Sequence, residues 1–182
     1  PDTMSSKVIT HVYQAQSNYF CSAVGSDITY FKADSKRVLS IETSKSPNLN
    51  YLSFSSSQVK SVDLTGNPAL VSLYCSGNDI ESLDLSKNLL LQTLTCSDNK
   101  IKKLDLSMLS LLKKATVHTN LLTEIKVNTG GALNYLSCIN CNLSAGALDS
   151  IFNQLPALPE VSASKNLYIL NNPGSSACHT EI

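Results

Sequence analysis

Two cysteines near the C-terminal third of the chain have the spacing of a chemical motif. Cys138-Ile139-Asn140-Cys141 is a CxxC segment, a spacing that occurs in redox-active dithiols and in zinc sites. A four-cysteine zinc site needs a second such pair, and the sequence contains none. Both cysteines also occupy positions of an internal repeat, which accounts for them without redox or metal chemistry.

Acidic residues recur every 21 residues, at Asp63, Asp84 and Asp105, with Glu42 one interval earlier. Carboxylate oxygens are the ligands that hard cations such as Ca²⁺ prefer, so a cation site is one interpretation. In the alternative, the carboxylates accept hydrogen bonds within turns or pair with lysines such as Lys103. We favour this structural role and expect no bound metal.

The histidines do not indicate a catalytic centre. His11, His118 and His179 are far apart, and their spacing from serine, aspartate and cysteine indicates no triad or dyad. Gly130-Gly131 lacks the context of a phosphate-binding loop and is interpreted as a turn. We therefore expect no enzymatic activity and no cofactor.

The bulk composition narrows the classes of partner. The chain has 182 residues, of which 42% are hydrophobic, and this suits one domain that folds unaided. Its 14 basic residues balance 14 acidic ones, which argues against a nucleic-acid or anionic-membrane surface. No apolar run approaches the roughly 20 residues of a membrane span. No signal peptide is recognisable in the sequence.

An internal repeat of 21 residues organises the chain. Apolar residues persist at the first, fourth, sixth, eleventh, fourteenth and sixteenth positions of nearly every unit, while the residues between them vary. Such a repeat predicts a solenoid in which each unit buries its apolar side against its neighbours. The six units are 28–48, 49–69, 70–90, 91–111, 112–132 and 133–153.

The start of each unit predicts a short strand. Apolar positions four and six alternate with polar positions, the pattern of a strand with one buried face. Stacked units would form a parallel sheet with strands about 4.8 Å apart. The second half of each unit is too short for a full helix, so we expect extended or single-turn structure there.

Cysteine occupies position six in three units, as Cys75, Cys96 and Cys138. Free cysteine behaves as a small buried hydrophobe, so we expect these three to be reduced core thiols. Cys21 and Cys178 lie outside the clear repeats. They are the only cysteines that we consider for a disulfide.

Asparagine occupies position nine, as Asn78, Asn99 and Asn120. Its amide can satisfy backbone groups of a turn inside the stack, so a structural role is expected. Cys141 takes this position in the sixth unit. We therefore expect the ladder of asparagines to end there.

The pattern Leu-x-x-Leu-x-Cys-x-x-Asn-x-Ile-x-x-Leu-Asp-Leu-Ser-x-Asn resembles the 21-residue leucine-rich repeats of bacterial surface proteins, as in internalin J and those of gut Bacteroidetes. The match is clearest over 70–106 and weaker over 49–153. The resemblance implies a right-handed leucine-rich-repeat solenoid of the α/β type, with a parallel β-sheet on one face and little helix in the repeats. It further implies a buried cysteine ladder, location outside the cell or at the bacterial surface, and a binding role. Departures at 113–115 and 128–131 affect the regularity of the fifth unit.

The two ends are expected to cap the solenoid 28–153. Residues 1–27 form an N-terminal extension or cap, with a strand over Lys7–Tyr13. Residues 144–182 form a C-terminal cap. In it, Ser144 begins a helix that Pro156 ends, a strand covers Leu167–Leu170, and Ser175–Ile182 begins a further helix.

The outward positions three, five and seven of the strands form the predicted binding surface. Hydroxyls and tyrosines dominate it, and tyrosine gives broad contact at low entropic cost. Strand propensity alone also favours serine, threonine and tyrosine, which is the alternative explanation. The expected ligand-binding residues are Tyr30, Tyr51, Tyr74, Thr93, Thr95, Thr116, His118 and Tyr135.

These observations predict a non-catalytic, monomeric binding module. Its ligand would be a protein, such as a host protein, or a glycan that stacks on aromatic rings. A structural spacer that positions another domain is the alternative from a different class. Nucleic acid and membrane are not expected as partners.

Overall fold

The structure, a computed structural model, describes residues 11–15, 18–34, 37–155 and 166–176, with side chains described from residue 20 onward. These residues contain twelve strands and one helix, numbered here in chain order. The strands are β1 (His11–Ala15), β2 (Asn18–Ser22), β3 (Tyr30–Lys32), β4 (Val38–Glu42), β5 (Tyr51–Ser53), β6 (Ser72–Tyr74), β7 (Thr93–Thr95), β8 (Lys103–Asp105), β9 (Lys114–Thr116), β10 (Glu124–Lys126), β11 (Tyr135–Ser137) and β12 (Asn166–Tyr168), and the helix is α1 (Ala145–Gln154).

The main sheet contains seven parallel strands of three residues each. Their order is β3, β5, β6, β7, β9, β11 and β12. From β3 to β11 the register advances by one repeat, so that Leu52 lies beside Leu73 and Leu73 beside Leu94. The central residue of each strand points into the core and its neighbours point outward. The predicted parallel sheet of stacked repeats is confirmed.

The return path of each coil is extended or turn-like, as the sequence predicts. Two short parallel pairs lie there, β8 with β10 and β2 with β4. The core is a continuous column of side chains from the apolar repeat positions. Position one shows it best, since Leu49, Leu70 and Leu91 are fully buried. Burial of each such side chain contributes about 1.5–3 kcal/mol.

A left-handed residue follows the strand segment at position eight of coils two to seven. Only Gly77 is a glycine, the residue that adopts this conformation without steric cost. Asparagine and aspartate tolerate it, whereas a β-branched residue such as Thr119 does so under strain. The position-eight residues are Ser56, Gly77, Asp98, Thr119, Asn140 and Asn171, with φ between 52° and 67°.

The asparagines at position nine satisfy the turns between coils. Asn99 accepts from the backbone N–H of Ile80 at 3.0 Å and donates to the carbonyl of Cys75 at 2.9 Å and to that of Cys96 at 3.1 Å. Equivalent bonds surround Asn78 and Asn120. One side chain thus links three consecutive coils, which explains why the repeat requires an amide here.

The expected end of this ladder at Cys141 is wrong. The Cys141 Sγ lies 3.6 Å from the carbonyl oxygen of Val117, and the ladder then resumes at Asn172. Asn172 donates to the Cys138 carbonyl at 2.8 Å and accepts from the Leu143 N–H at 3.2 Å. The segment between α1 and β12 lengthens this unit by ten residues, from 21 to the 31 that separate positions 141 and 172, and this shift conceals the seventh repeat in the sequence.

A second ladder, at position nineteen, was not predicted. Asn67 donates to the carbonyls of Thr43 and Ser46, and its Oδ1 accepts from the Thr43 hydroxyl at 2.7 Å. Asn88 makes the equivalent donations one coil later, but Leu64 replaces the threonine. The Asn88 Oδ1 is buried and, among the described residues, has no hydrogen-bond donor.

The helix α1 covers the return side of the last coils. Ser144 caps it by accepting from the Ala147 N–H at 3.3 Å, and Leu148 and Ile151 are buried beneath it. The predicted helix is confirmed, as is a strand near Leu167, which pairs with β11 as part of the main sheet. Pro156 lies outside the described residues.

The predicted strand over Lys7–Tyr13 lies partly outside the described residues. From residue 11 onward the chain forms β1, which pairs antiparallel with β2. In the predicted C-terminal helix over Ser175–Ile182, residues 177–182 are likewise outside the described part.

Candidate functional site

The eight predicted binding residues lie on one surface. Seven of them are on the main sheet at positions three and five, and His118 follows β9 at position seven. We call the outward side of the main sheet, formed by positions three, five and seven, the strand face. It is rigid because every strand is held on the sheet ladder and the central residues are buried.

Three tyrosines form a stack at the N-terminal end of the strand face. Tyr30 and Tyr51 are paired directly across neighbouring strands, and their rings stack with centroids 4.3 Å apart and an interplanar angle of 8°. Tyr51 meets Tyr74 on the diagonal at 5.3 Å and 35°. Burial, followed by the effect of Tyr30, raises the pKa of Tyr51. The rings are therefore neutral at physiological pH and present a broad apolar surface.

A second aromatic cluster lies at the other end of the face. Tyr135 and Tyr168 are on neighbouring strands with centroids 5.3 Å apart and tilted by 44°. The Lys114 Nζ lies 4.8 Å from the centroid of the Tyr135 ring, a cation–π contact. Sequence reasoning missed Tyr168 because the ten-residue shift takes it out of the repeat register. The segment Asn166-Leu167-Tyr168 matches the x-Leu-Tyr of β6 and could have identified it.

A buried serine lies at the base of each aromatic cluster. Ser53 and Ser137 each end a Tyr-Leu-Ser strand, and they are only 2% and 3% exposed. The Ser53 hydroxyl donates to Asp34 Oδ1 at 2.6 Å. Position five of these coils therefore offers little hydroxyl surface, and the tyrosines provide the contact area.

Hydroxyl groups occupy the face between the two clusters. Thr95 lies beside Thr116 in the sheet, and Thr93 lies beside Lys114. All three threonines are partly exposed. Together with the tyrosines, they make a face with few charges, on which Lys32 is paired with Asp34 at 3.3 Å.

The position-six cysteines are not placed for chemistry. Cys75, Cys96 and Cys138 are free thiols with no exposed surface. Burial raises the pKa of Cys96 and of Cys138 to about 12, and it raises that of Cys141 as well. Because the thiolate is the reactive form, the CxxC pair is held in its unreactive state near neutral pH.

Cys21 is also a buried free thiol, and burial raises its pKa. Cys178, which was considered together with it for a disulfide, lies outside the described residues.

The repeated acidic residues accept hydrogen bonds within their own turns. Asp63 accepts from the N–H of Thr65 at 2.9 Å and from its hydroxyl at 2.6 Å, and the hydroxyl bond, followed by the backbone bond, lowers the pKa of Asp63. Asp84 and Asp105 make the same turn. In the described part of the chain, no group of three or more side chains is arranged to hold a metal ion.

A depression of about 450 Å³ opens on the return side, around β8 and β10. Its charged groups pair with one another: Lys103 Nζ lies 2.9 Å from Glu124, and Lys126 Nζ lies 3.7 Å from Asp105. These ion pairs are exposed and each contributes at most about 1 kcal/mol. They give the depression no free charge on which to build a ligand site.

Repeats of 21 residues, a parallel sheet on one side and asparagines between the coils define a leucine-rich-repeat solenoid. Solved structures support this fold. The chain is similar to the functional domain of InlJ from Listeria monocytogenes, which includes a cysteine ladder, with 24% identity over 84% of this chain and a TM-score of 0.65. It is also similar to the leucine-rich repeat domain of APL1, with 14% identity over 82% of this chain and a TM-score of 0.50.

These likenesses establish the fold, and the internalin-type repeat expected from the sequence is confirmed at that level. The chain spans 32% of the InlJ structure and 50% of the APL1 structure. No family model matches the sequence, and no curated protein matches it. Within the described residues, no helix is long and apolar enough to cross a membrane.

Proposed function

We propose that this chain is a non-catalytic binding module, secreted or displayed at a bacterial cell surface, that recognises a protein ligand through the strand face. The stacked rings of Tyr30, Tyr51 and Tyr74 are the observation that carries this proposal. Neighbouring rings restrict one another, so binding costs little additional side-chain entropy. The hydroxyls beside them supply adaptable hydrogen bonds around an aromatic centre.

Location outside the cell is supported by the internalin-type repeat. InlJ, whose domain has the same fold, is a surface protein. The nearly uncharged strand face suits a partner whose contact surface is also neutral. A monomer is expected, since the solenoid buries its apolar residues within one chain.

The test is a binding screen against extracellular host proteins and a glycan array. It compares the wild type with a variant that carries Tyr51→Ser, Tyr74→Ser and Tyr135→Ser. Circular dichroism and a thermal melt establish that the variant is folded. We expect a protein hit that weakens at least about tenfold in the variant, since aromatic anchors dominate interface energies.

Other outcomes of this screen would refute the proposal. A glycan hit that the variant loses would identify a glycan-binding surface protein instead. Hits that the variant retains would move the site to the return side or to the ends. If no ligand is found, and the intact protein keeps its activity with the three substitutions, the chain is a structural spacer.

We also propose that the position-six cysteines form a cysteine ladder like the one present in InlJ. Cys75 and Cys96 occupy the same position in adjacent coils, and Cys138 follows two coils later, with Val117 between. All four side chains are fully buried. Their contribution is to packing, since a thiol fills a narrow core position without requiring a strong hydrogen-bond partner.

A further inference from the structure

The strand face contains the same two-tyrosine arrangement twice. Tyr51 and Tyr74 form the first tyrosine pair, and Tyr135 and Tyr168 form the second. In each pair the first tyrosine begins a Tyr-Leu-Ser strand, and the second lies on the diagonal in the next strand. The centroid distance is 5.3 Å in both pairs, and the interplanar angles are 35° and 44°.

The sheet sets the distance between the two tyrosine pairs. In the strand order, β5 and β6 carry the first pair, and β11 and β12 carry the second, a displacement of four strands. With strands about 4.8 Å apart, equivalent atoms of the two pairs are separated by about 19 Å along the stack. A ligand that contacts both pairs must therefore present two similar groups on one side, about 19 Å apart.

From this repetition we propose that the strand face binds a proline-rich segment of a partner protein in the polyproline II conformation, with one proline on each tyrosine pair. A polyproline II helix has three residues per turn and rises about 3.1 Å per residue. Residues separated by six positions therefore lie on the same side, about 19 Å apart. This matches the separation of the two pairs, and it deepens the proposed function, on which it rests.

The chemistry of the face also fits this ligand. Proline rings are flat, apolar and rigid, and aromatic grooves bind them because the extended helix is already ordered before binding. A ligand in β conformation needs a free sheet edge for its backbone. The face between the tyrosine pairs instead offers hydroxyls such as those of Thr95 and Thr116, which can bond the exposed carbonyls of polyproline II.

The charge of the face adds one feature of the ligand. The Lys114 Nζ lies over the Tyr135 ring and, among the described residues, forms no ion pair. Lys114 is on β9, one strand before the second tyrosine pair on the side of the first. The segment should therefore carry an acidic residue between the two prolines, adjacent to the proline that meets the second pair.

The test uses two capped peptides of identical composition. In APAAPAEPA, the second and eighth residues are prolines with the required spacing, and glutamate precedes the last proline. In AAPPAAPEA, no two prolines are six residues apart. Binding of fluorescein-labelled peptides is measured by anisotropy against wild type, Tyr74→Ser, Tyr168→Ser, Tyr74→Phe and Leu90→Ser. Leu90 is exposed and off the strand face, so its substitution is the matched control.

We expect the first peptide to bind wild type at least about tenfold more tightly than its isomer. Each tyrosine-to-serine variant should lose about tenfold in affinity, because removal of either ring abolishes contact at one end. Tyr74→Phe keeps the ring and should keep the affinity, and Leu90→Ser should bind like wild type. Lys114→Ala should weaken the glutamate peptide but not its glutamine counterpart.

Equal binding of the two peptides, or binding that survives both serine substitutions, would overturn the inference. So would binding of cellohexaose in place of peptide at the same site, or no peptide binding up to millimolar concentration. The last result is separable from the proposed function. A protein hit that the triple tyrosine variant loses would then leave the strand face as a binding surface for a ligand of another shape.

Discussion

Replacement of Thr43 by valine should destabilise the fold through one buried hydrogen bond. The Thr43 hydroxyl donates to Asn67 Oδ1 at 2.7 Å, and both residues are fully buried. Valine has nearly the same shape, so the substitution creates almost no cavity and leaves the Asn67 oxygen without its donor. A buried acceptor left unsatisfied costs about 1–3 kcal/mol, and part of this is offset because valine is the more apolar side chain. We expect a net loss of about 1–2 kcal/mol.

The same chain contains the reverse experiment one coil later. Leu64 stands where the threonine would be, and the Asn88 oxygen is buried without a donor. Leu64→Thr and Leu64→Val lose similar packing volume, but only threonine can donate to Asn88. The threonine variant should therefore be about 1 kcal/mol more stable than the valine variant. In an apolar environment a hydroxyl would have the opposite effect.

Urea unfolding followed by circular dichroism measures all of these changes. An unchanged m value shows that the variants unfold through the same transition. For a domain of this size, 1 kcal/mol corresponds to about 2–4 °C in Tm, which gives a second readout. The reasoning is refuted if Thr43→Val is as stable as wild type, or if Leu64→Thr is less stable than Leu64→Val.

Four further predictions concern other positions. The three position-six thiols should react with Ellman's reagent only as fast as the protein unfolds and react freely in denaturant; rapid labelling of the native protein would contradict their burial. Cys96→Ser should cost about 1–3 kcal/mol in urea unfolding, since a hydroxyl enters an apolar column; an unchanged midpoint would refute it. Because burial raises the folded-state pKa of Cys96 from 9.0 to about 12, its stabilisation is complete below pH 9 and is lost as pH rises toward 12, so the free energy of unfolding should fall less steeply in Cys96→Ala than in wild type. Gly66→Ala should destabilise strongly, because its Cβ would lie 2.3 Å from a backbone oxygen of the preceding coil, whereas Gly146→Ala, with open space in α1, should raise Tm slightly; equal melting temperatures would count against the packing described for Gly66.

The repeat itself was predictable because a solenoid repeats its environment as well as its sequence. Leu70, Leu91 and Leu112 face the same neighbours in successive coils, so the same residue type recurs and the period is visible. The same logic predicted the burial of the position-six cysteines. It failed at Cys141, where the sequence pattern stops although the hydrogen-bond ladder continues to Asn172.

The candidate site divides in the same way. The alternation within each unit determined that Tyr30, Tyr51 and Tyr135 point outward, since this follows from the two-residue period of a strand. Which rings touch was decided only by the tertiary structure. Tyr74 belongs to position five and meets Tyr51 because sheet packing brings diagonal neighbours within reach.

The sequence by itself thus determined the coil, its period and its inward and outward faces, because these follow from local alternation and nearest-neighbour stacking. Only the tertiary structure decided where the stack ends. Asn166–Tyr168 joins the sheet across a segment longer than the repeat, and pairing between strands depends on register in space, not on separation along the chain. That pairing places Tyr168 beside Tyr135 and so creates the second tyrosine pair on the strand face.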